Sequence, residues 1–504
     1  MSADATKIRP RRRGWIDDWE PDDAQFWESG GRRIARKNLA FSIVAEHFGF
    51  SIWVLWTIIV INLGNVGIVL SVPEQFWLTA VPNLVGAALR IPYTFAVPRF
   101  GGRAWTTLSA ALLLIPTTLV AVLVPSHWLA SQAHSTQFWI LLGCAATAGV
   151  GGGNFSSSMA NISFFYPESK KGLALGLNAA GGNLGVAVTQ LLVPLVLIVG
   201  VPAATVKLPI HDVHLAYAGL VWMPFIIVAA LGAWLHMDSL TQARSDGQSY
   251  VAAVRQPHTW LMSILYIGTF GSFIGYSFSM PLVIKNTFPE FLAGHPFIAT
   301  YLAGLSFVGA LIGSVSRPLG GWLSDRLGGA KVTLWVFAGM AVGTVAAMVA
   351  VKHHSFAGFF ASYAAIFLLA GMGNGSTYRM IPSIFSELGR RAVAVEGGDA
   401  AEIAQRFKRQ AAAVIGIAGA VGAFGGFLIQ LAFRQASLDV SALVKAAQTP
   451  AEKLAIAQAH ADWAMPALGT FLAAYVVFAS MTWFFYLRKA PVLGRAPSLA
   501  RASI

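Results

Sequence analysis

The chain has 504 residues, of which 56% are hydrophobic and only 11% charged, against about 25% charged in an ordinary globular protein. Mean hydropathy is +0.62, so the polar surface is too small to cover the chain in water. This excludes a soluble enzyme, a disordered chain and a repeat fibre, and the single Cys144 excludes a disulfide framework or a cysteine-based metal site.

The first 38 residues read as a cytoplasmic tail, with a basic cluster (Lys7, Arg9, Arg11, Arg12, Arg13) and an acidic stretch at 17–23. No signal peptide is expected, because the first apolar run starts late, is long and lacks a small-residue cleavage site. The basic cluster serves topology, with contact to anionic lipid as the alternative reading. Twelve apolar runs then follow, at 39–64, 76–98, 104–124, 137–166, 173–200, 213–236, 257–283, 297–323, 331–351, 355–387, 410–434 and 463–487. Each is long enough to cross a hydrocarbon core about 30 Å thick. The predicted fold class is an all-α membrane protein with twelve transmembrane helices. The N-terminal six-helix half covers 39–236, the central cytoplasmic loop 237–256, the C-terminal half 257–487 and the C-terminal tail 488–504.

Basic residues explain the net charge of +13 without nucleic acid as a partner. Lys207, Lys285, Lys352, Arg434, Lys445 and Lys453 fall on one face, and nearly all the others fall on the face that carries the termini. The positive-inside rule therefore places both termini in the cytoplasm of a multi-pass protein of the inner membrane.

The two halves repeat each other. LRIPYTFAVPRFGGR (89–103) follows span 2, and SRPLGGWLSDRLGGAK (316–331) follows span 8; in each, an arginine, Arg90 or Arg317, stands eleven residues before a Gly-Gly pair. GGGNFSSSMANISFF (151–165) in span 4 matches GMGNGSTYRMIPSIF (371–385) in span 10, and spans 5 and 11 share Gln190 with Gln430. Two parallel six-span repeats are a transporter pattern. The run Gly321, Asp325, Arg326, Gly328, Gly329 resembles the cytoplasmic loop signature of the major facilitator superfamily. In that reading it is a conformational latch, with Asp325 pairing across helices in one state only.

Helix rise, at about 1.5 Å per residue, places Arg90, Arg317, Arg379 and Glu46 about 13–16 Å inside the membrane. A charge at that depth costs at least about 2.5–3.5 kcal/mol and needs a partner or a wet cavity. One glutamate neutralises one arginine, and Glu46 with Arg379 is the expected coupling or structural ion pair. Two cations remain, and their natural partner is an anion. Planar guanidinium forks suit a small planar oxyanion: nitrate, nitrite, bicarbonate and formate all qualify. No lysine-bearing phosphate loop is present, and no cofactor or metal is called for.

GGGNFSSSMANISFFYPESKKGLALGLNAAGGNLG (151–185), with LYIGTFGSFIGYS (265–277) and IDDWEPDDAQFW (16–27), resembles the nitrate/nitrite porter (NarK-type) family over essentially the whole chain. The resemblance implies a major facilitator fold and nitrate and nitrite as substrates. It implies that Arg90 and Arg317 clamp the anion, Tyr266 donates its hydroxyl, Phe270 stacks on the planar ion and Asn178 contacts it. Gly151, Gly152, Gly153, Gly176, Gly181, Gly182 and Gly185 would let spans 4 and 5 pack and slide closely. The sequence departs from the family pattern at Glu46, His47 and Arg379, which bears on coupling rather than on substrate class.

The function expected is nitrate/nitrite antiport by alternating access, in a protein that is not an enzyme and acts as a monomer in the bilayer. Nitrate/proton symport is the alternative, and a non-transporting nitrate sensor is the rival from another class.

Overall fold

The computed structural model describes residues 14–199, 214–243, 247–397, 399–488, 499 and 504; the basic cluster of the tail lies outside them. Twelve long helices follow one another: α1 (Ala24–Val66), α2 (Val72–Phe100), α3 (Gly102–Val122), α4 (His134–Phe165), α5 (Glu168–Val199), α6 (Tyr217–His236), α7 (Pro257–Thr287), α8 (Ser306–Leu327), α9 (Gly329–Lys352), α10 (Phe356–Glu396), α11 (Ala400–Ala436) and α12 (Met465–Leu487). Ten of them, among the described residues, are long and apolar enough to cross a membrane. The other two, α2 and α8, have 29 and 22 residues, or about 43 and 33 Å of helix. They have the length of spans and fall short on composition, because they carry Arg90 and Arg317.

Local chemistry sets several boundaries. Ser71 and Glu74 form a capping box at the start of α2, satisfying orphan N–H groups there. Gly101 and Gly328 end α2 and α8 with φ of +84° and +91°, a backbone that side chains with a Cβ avoid. The two repeat copies thus make the same turn with the same residue type.

Four segments differ from the sequence expectation. The run at 297–323 is interrupted: Pro296–Tyr301 is a separate short helix, and a 3₁₀ turn at Ala303–Leu305 precedes α8. Residues 388–409, expected to form a loop, are mostly helix, because α10 runs on to Glu396 and α11 begins at Ala400. Residues 438–446 and 450–459, between α11 and α12, are also helical. In the central loop, Ser239–Leu240 (β2) pairs in parallel with Trp15–Ile16 (β1), and Gly247–Arg255 forms a helix.

In chain order, α1–α6 are called the first set below and α7–α12 the second. One apolar core runs through both. A smaller cluster holds the N-terminal segment, through Ile16, Trp19 and Trp27, against Phe165 and Leu240. The face carrying the termini is called proximal below, and the opposite face distal.

Candidate functional site

Arg90 on α2 is fully buried and Arg317 on α8 nearly so, at 0% and 6% exposure. Arg90 donates from Nε to the Gly152 carbonyl (3.0 Å) and from Nη1 to the Gly419 carbonyl (2.7 Å). Gly152 belongs to α4 and Gly419 to α11, so this side chain joins the two sets. Arg317 donates from Nη2 to the Tyr266 hydroxyl at 3.3 Å. Nη2 of Arg90 and Nη1 of Arg317 are buried with no hydrogen-bond partner among the described residues. An unmet charged donor in a low-dielectric interior costs more than an ordinary hydrogen bond returns. Each arginine therefore has one buried nitrogen for which the described residues supply no acceptor.

Aromatic faces surround the two cations. The Arg90 guanidinium lies 4.6 Å from the centre of the Phe155 ring, 4.9 Å from Phe270 and 5.5 Å from Trp53. Arg317 lies 5.4 Å from the Tyr378 ring. Such contacts contribute about 0.5–2 kcal/mol each and add no negative charge. Tyr266 stacks on Phe270 at 5.4 Å and 10°, as expected for residues one turn apart on α7. Because the Tyr266 oxygen accepts from Arg317, its own O–H remains available to donate elsewhere. Phe155 and Phe270 face each other with centroids 6.0 Å apart. A planar ion between two rings needs about 7 Å, so in this conformation the rings close on the site.

Glu46 is fully buried on α1, but its partner is not Arg379. Its Oε2 accepts from Asn178 Nδ2 at 2.8 Å and from the Ser158 hydroxyl, which also bonds Ser42; its Oε1 is buried without a partner. Arg379 instead donates from Nε to Asp325 Oδ1 at 2.5 Å, and both side chains are more than half exposed. The expected Glu46–Arg379 pair is therefore corrected. Depth along a helix does not fix which way a side chain faces: Arg379 lies on the outer face of α10, where Asp325 of α8 meets it. Tyr378 faces inward, and its neighbour Arg379, about 100° further round the helix, points out. Asp325 does pair across helices, joining α8 to α10, while Arg326 lies 4.1 Å over the Trp322 ring.

Asn178 is also placed differently from expectation. Its amide donates to Glu46 and to Ser158 (2.6 Å) and lies 3.6 Å from the Met159 sulfur, so its contacts lie in and beside the glutamate cluster rather than at the arginine pair. His47 is turned away, with Nδ1 against the Gly181 carbonyl at 3.0 Å.

Six of the seven glycines do permit close approach. A Cβ on Gly151 would stand 2.1 Å from the Gly49 carbonyl oxygen, and one on Gly185 2.3 Å from that of His47. Gly152, Gly153, Gly181 and Gly182 press on Trp53, Leu89, Ile43 and Glu46 in the same way. Gly176 does not: nothing lies within 4 Å of its would-be Cβ, so the packing expectation is corrected there.

Sequence reasoning missed Phe155, Tyr378, Trp53 and Ser158. Phe155 carried a usable signal, since it follows the Gly-Asn of the span 4 motif. The others stand in ordinary apolar or small-residue surroundings.

The arrangement of two half-satisfied arginines in a buried aromatic cage coincides with what the chain resembles. The Major Facilitator Superfamily model matches residues 38–430. The nitrate/nitrite transporter NarU of Escherichia coli K12 is 36% identical over 94% of this chain and 96% of its own length. The chain belongs to the nitrate/nitrite porter family of the major facilitator superfamily. Another relative in that family, the probable nitrate/nitrite antiporter NarK2 of Thermus thermophilus, is 35% identical over 82% of this chain and 88% of its own. The porter fold is also that of a bacterial homologue of the human lysosomal transporter Spinster, solved in an inward-facing, occupied conformation. That structure matches with a TM-score of 0.56 at 15% identity, over 90% of this chain and 96% of the other.

Proposed function

We propose that the protein carries nitrate and nitrite across the cytoplasmic membrane by alternating access, exchanging one for the other. The observation that carries this reading is the pair of buried, unpartnered guanidinium nitrogens, Arg90 Nη2 and Arg317 Nη1, one from each helix set. A planar oxyanion accepts in its own plane from both forks, receives a third hydrogen bond from the Tyr266 hydroxyl, and presents its faces to Phe155 and Phe270. The two sets act as six-helix halves, at 39–236 and 257–487, that rock about the anion while the monomer remains embedded in lipid. Both termini lie in the cytoplasm, which makes the proximal face the cytoplasmic one.

Exchange follows from charge. An empty site leaves two buried cations whose hydrogen bonds go only to neutral carbonyl and hydroxyl groups, with the single carboxylate of Glu46 in electrostatic range but bonded to neither, so a returning anion stabilises the carrier during reorientation. The NarK2 relative is named an antiporter, which supports the same reading.

Counterflow in proteoliposomes tests it. Liposomes loaded with nitrite should accumulate labelled nitrate transiently, and empty liposomes should not. Binding of nitrate without flux would replace this reading with a membrane sensor.

A further inference from the structure

Between the arginine pair and the distal face lie the repeat glutamines Gln190 and Gln430. Pro281 lies inside α7 and has no N–H, so the carbonyl four residues earlier, at Ser277, has no helical donor at that position. Gln190, on α5 of the first set, supplies one: its Nε2 donates to the Ser277 carbonyl at 2.6 Å. Gln430, its repeat counterpart on α11, donates to the Gly275 carbonyl at 2.7 Å and accepts from Thr79 of α2 at 2.9 Å. Both glutamines are fully buried. Two pseudo-symmetric side chains thus converge on neighbouring carbonyls of one helix, and each links the first set to the second.

Depth places this junction away from the anion. Gly275 and Ser277 lie nine and eleven residues beyond Tyr266 on α7, and Thr79 eleven residues before Arg90 on α2, or about 14–16 Å towards the distal face. Other links between the sets lie on the same side: Lys285 Nζ donates to the Ile61 carbonyl at 2.6 Å, Trp53 meets Phe278 at 5.4 Å, and Phe76 stacks on Phe433 at 5.8 Å.

We propose that Gln190 and Gln430 are positioning residues of the transport cycle, forming a distal gate whose strength is set by Pro281. With the distal face closed, Gln190 replaces the hydrogen bond that proline removes from α7. As the sets part, the Ser277 carbonyl exchanges that amide for water entering the vestibule, and Gln430 releases Thr79. The proline prevents α7 from satisfying this carbonyl by itself, so closure of the distal face depends on the first set. The gate concerns how the carrier moves rather than what it carries, so it stands or falls separately from the nitrate assignment.

The test measures distances between spin labels on the distal face in detergent or nanodiscs, with Ser131→Cys on the first set and Lys352→Cys on the second, in a Cys144→Ser background. Gln190→Met keeps the side-chain length and removes the donor. It should raise the distal-open population about tenfold, the cost expected for orphaning a buried carbonyl. Pro281→Ala returns an N–H to α7, and in that background Gln190→Met should change the distance distribution by less than about twofold. The Pro281→Ala protein alone should fold and elute as the parent does, which separates gating from misfolding. An unchanged distribution in Gln190→Met, or an equal shift in both backgrounds, overturns the proposal.

Discussion

At the residue scale the two arginines are distinguished from ordinary buried cations by what they leave unpaired. Arg90 uses Nε and Nη1 on carbonyls and keeps Nη2; Arg317 uses Nη2 on Tyr266 and keeps Nη1. Lysine cannot hold a carbonyl and an anion in one plane. Arg90→Lys and Arg317→Lys should each reduce nitrate exchange by about ten- to hundredfold, the worth of a charged hydrogen bond, with expression unchanged. Near-normal uptake by either variant would remove the clamp. The cage gives a second contrast. Phe270→Ala removes a ring that touches Arg90, Phe155 and Tyr266 together, whereas Tyr266→Phe removes one hydroxyl and keeps the stack. Nitrate affinity should fall further in Phe270→Ala; the reverse order would make the Tyr266 hydroxyl the main selector. Glu46 differs from both, because it forms no ion pair among the described residues and is held by neutral donors. Glu46→Gln keeps an oxygen for Ser158 and Asn178, so counterflow should survive within a few-fold. Loss of counterflow would show that the exchange step itself needs the carboxylate.

At the element scale, the packing of α4 and α5 against α1 depends on where each glycine faces. Gly185 sits where a Cβ would strike the His47 carbonyl, while Gly176 faces open space. Gly185→Ala should destabilise the protein by about 1–3 kcal/mol, as overpacking does, whereas Gly176→Ala should be tolerated; melting curves in detergent compare them directly. The sequence motif listed both residues alike, because a glycine pattern shows that helices approach but not which face each residue takes. The same limit explains the rest of what sequence left unread. Arg90 and Arg317 were legible because charge and depth along a helix can be counted in one dimension, and Tyr266 and Phe270 through the family resemblance of the motif that carries them; the structure brings the four together. The Arg379 partner was not, since it depends on helix rotation and on how α8 and α10 approach each other. Tyr378 is one of eleven tyrosines, and only its three-dimensional approach to Arg317 marks it, whereas Phe155 stood beside the Gly-Asn of the span 4 motif. The twelve apolar runs gave the helix order correctly, yet the break before α8 and the continuation of α10 to Glu396 rest on proline placement and packing against neighbours, which hydropathy does not encode.

At the scale of the whole molecule, the state described here is closed distally, with the arginine pair buried and the Phe155 and Phe270 rings drawn together. Reorientation must carry that buried charge past a low-dielectric core. Anion-free movement keeps two guanidinium groups with one unmet nitrogen each, offset only in part by the Gly152 and Gly419 carbonyls, the Tyr266 hydroxyl, ring faces and the nearby Glu46. Binding a monovalent anion removes one net charge from the cluster and satisfies both free nitrogens at once. With hydrogen bonds to charged groups contributing about 1.5–3 kcal/mol each, the loaded carrier should cross at least about tenfold faster than the empty one. The measurement is nitrite efflux from proteoliposomes at fixed pH, with the membrane potential clamped, into buffer with or without external nitrate. External nitrate should accelerate efflux by that factor, and an inert anion too large for the cage should not. Equal rates in the two buffers would mean that the empty site returns as readily as the loaded one, and the coupling would then have to reside outside the arginine pair.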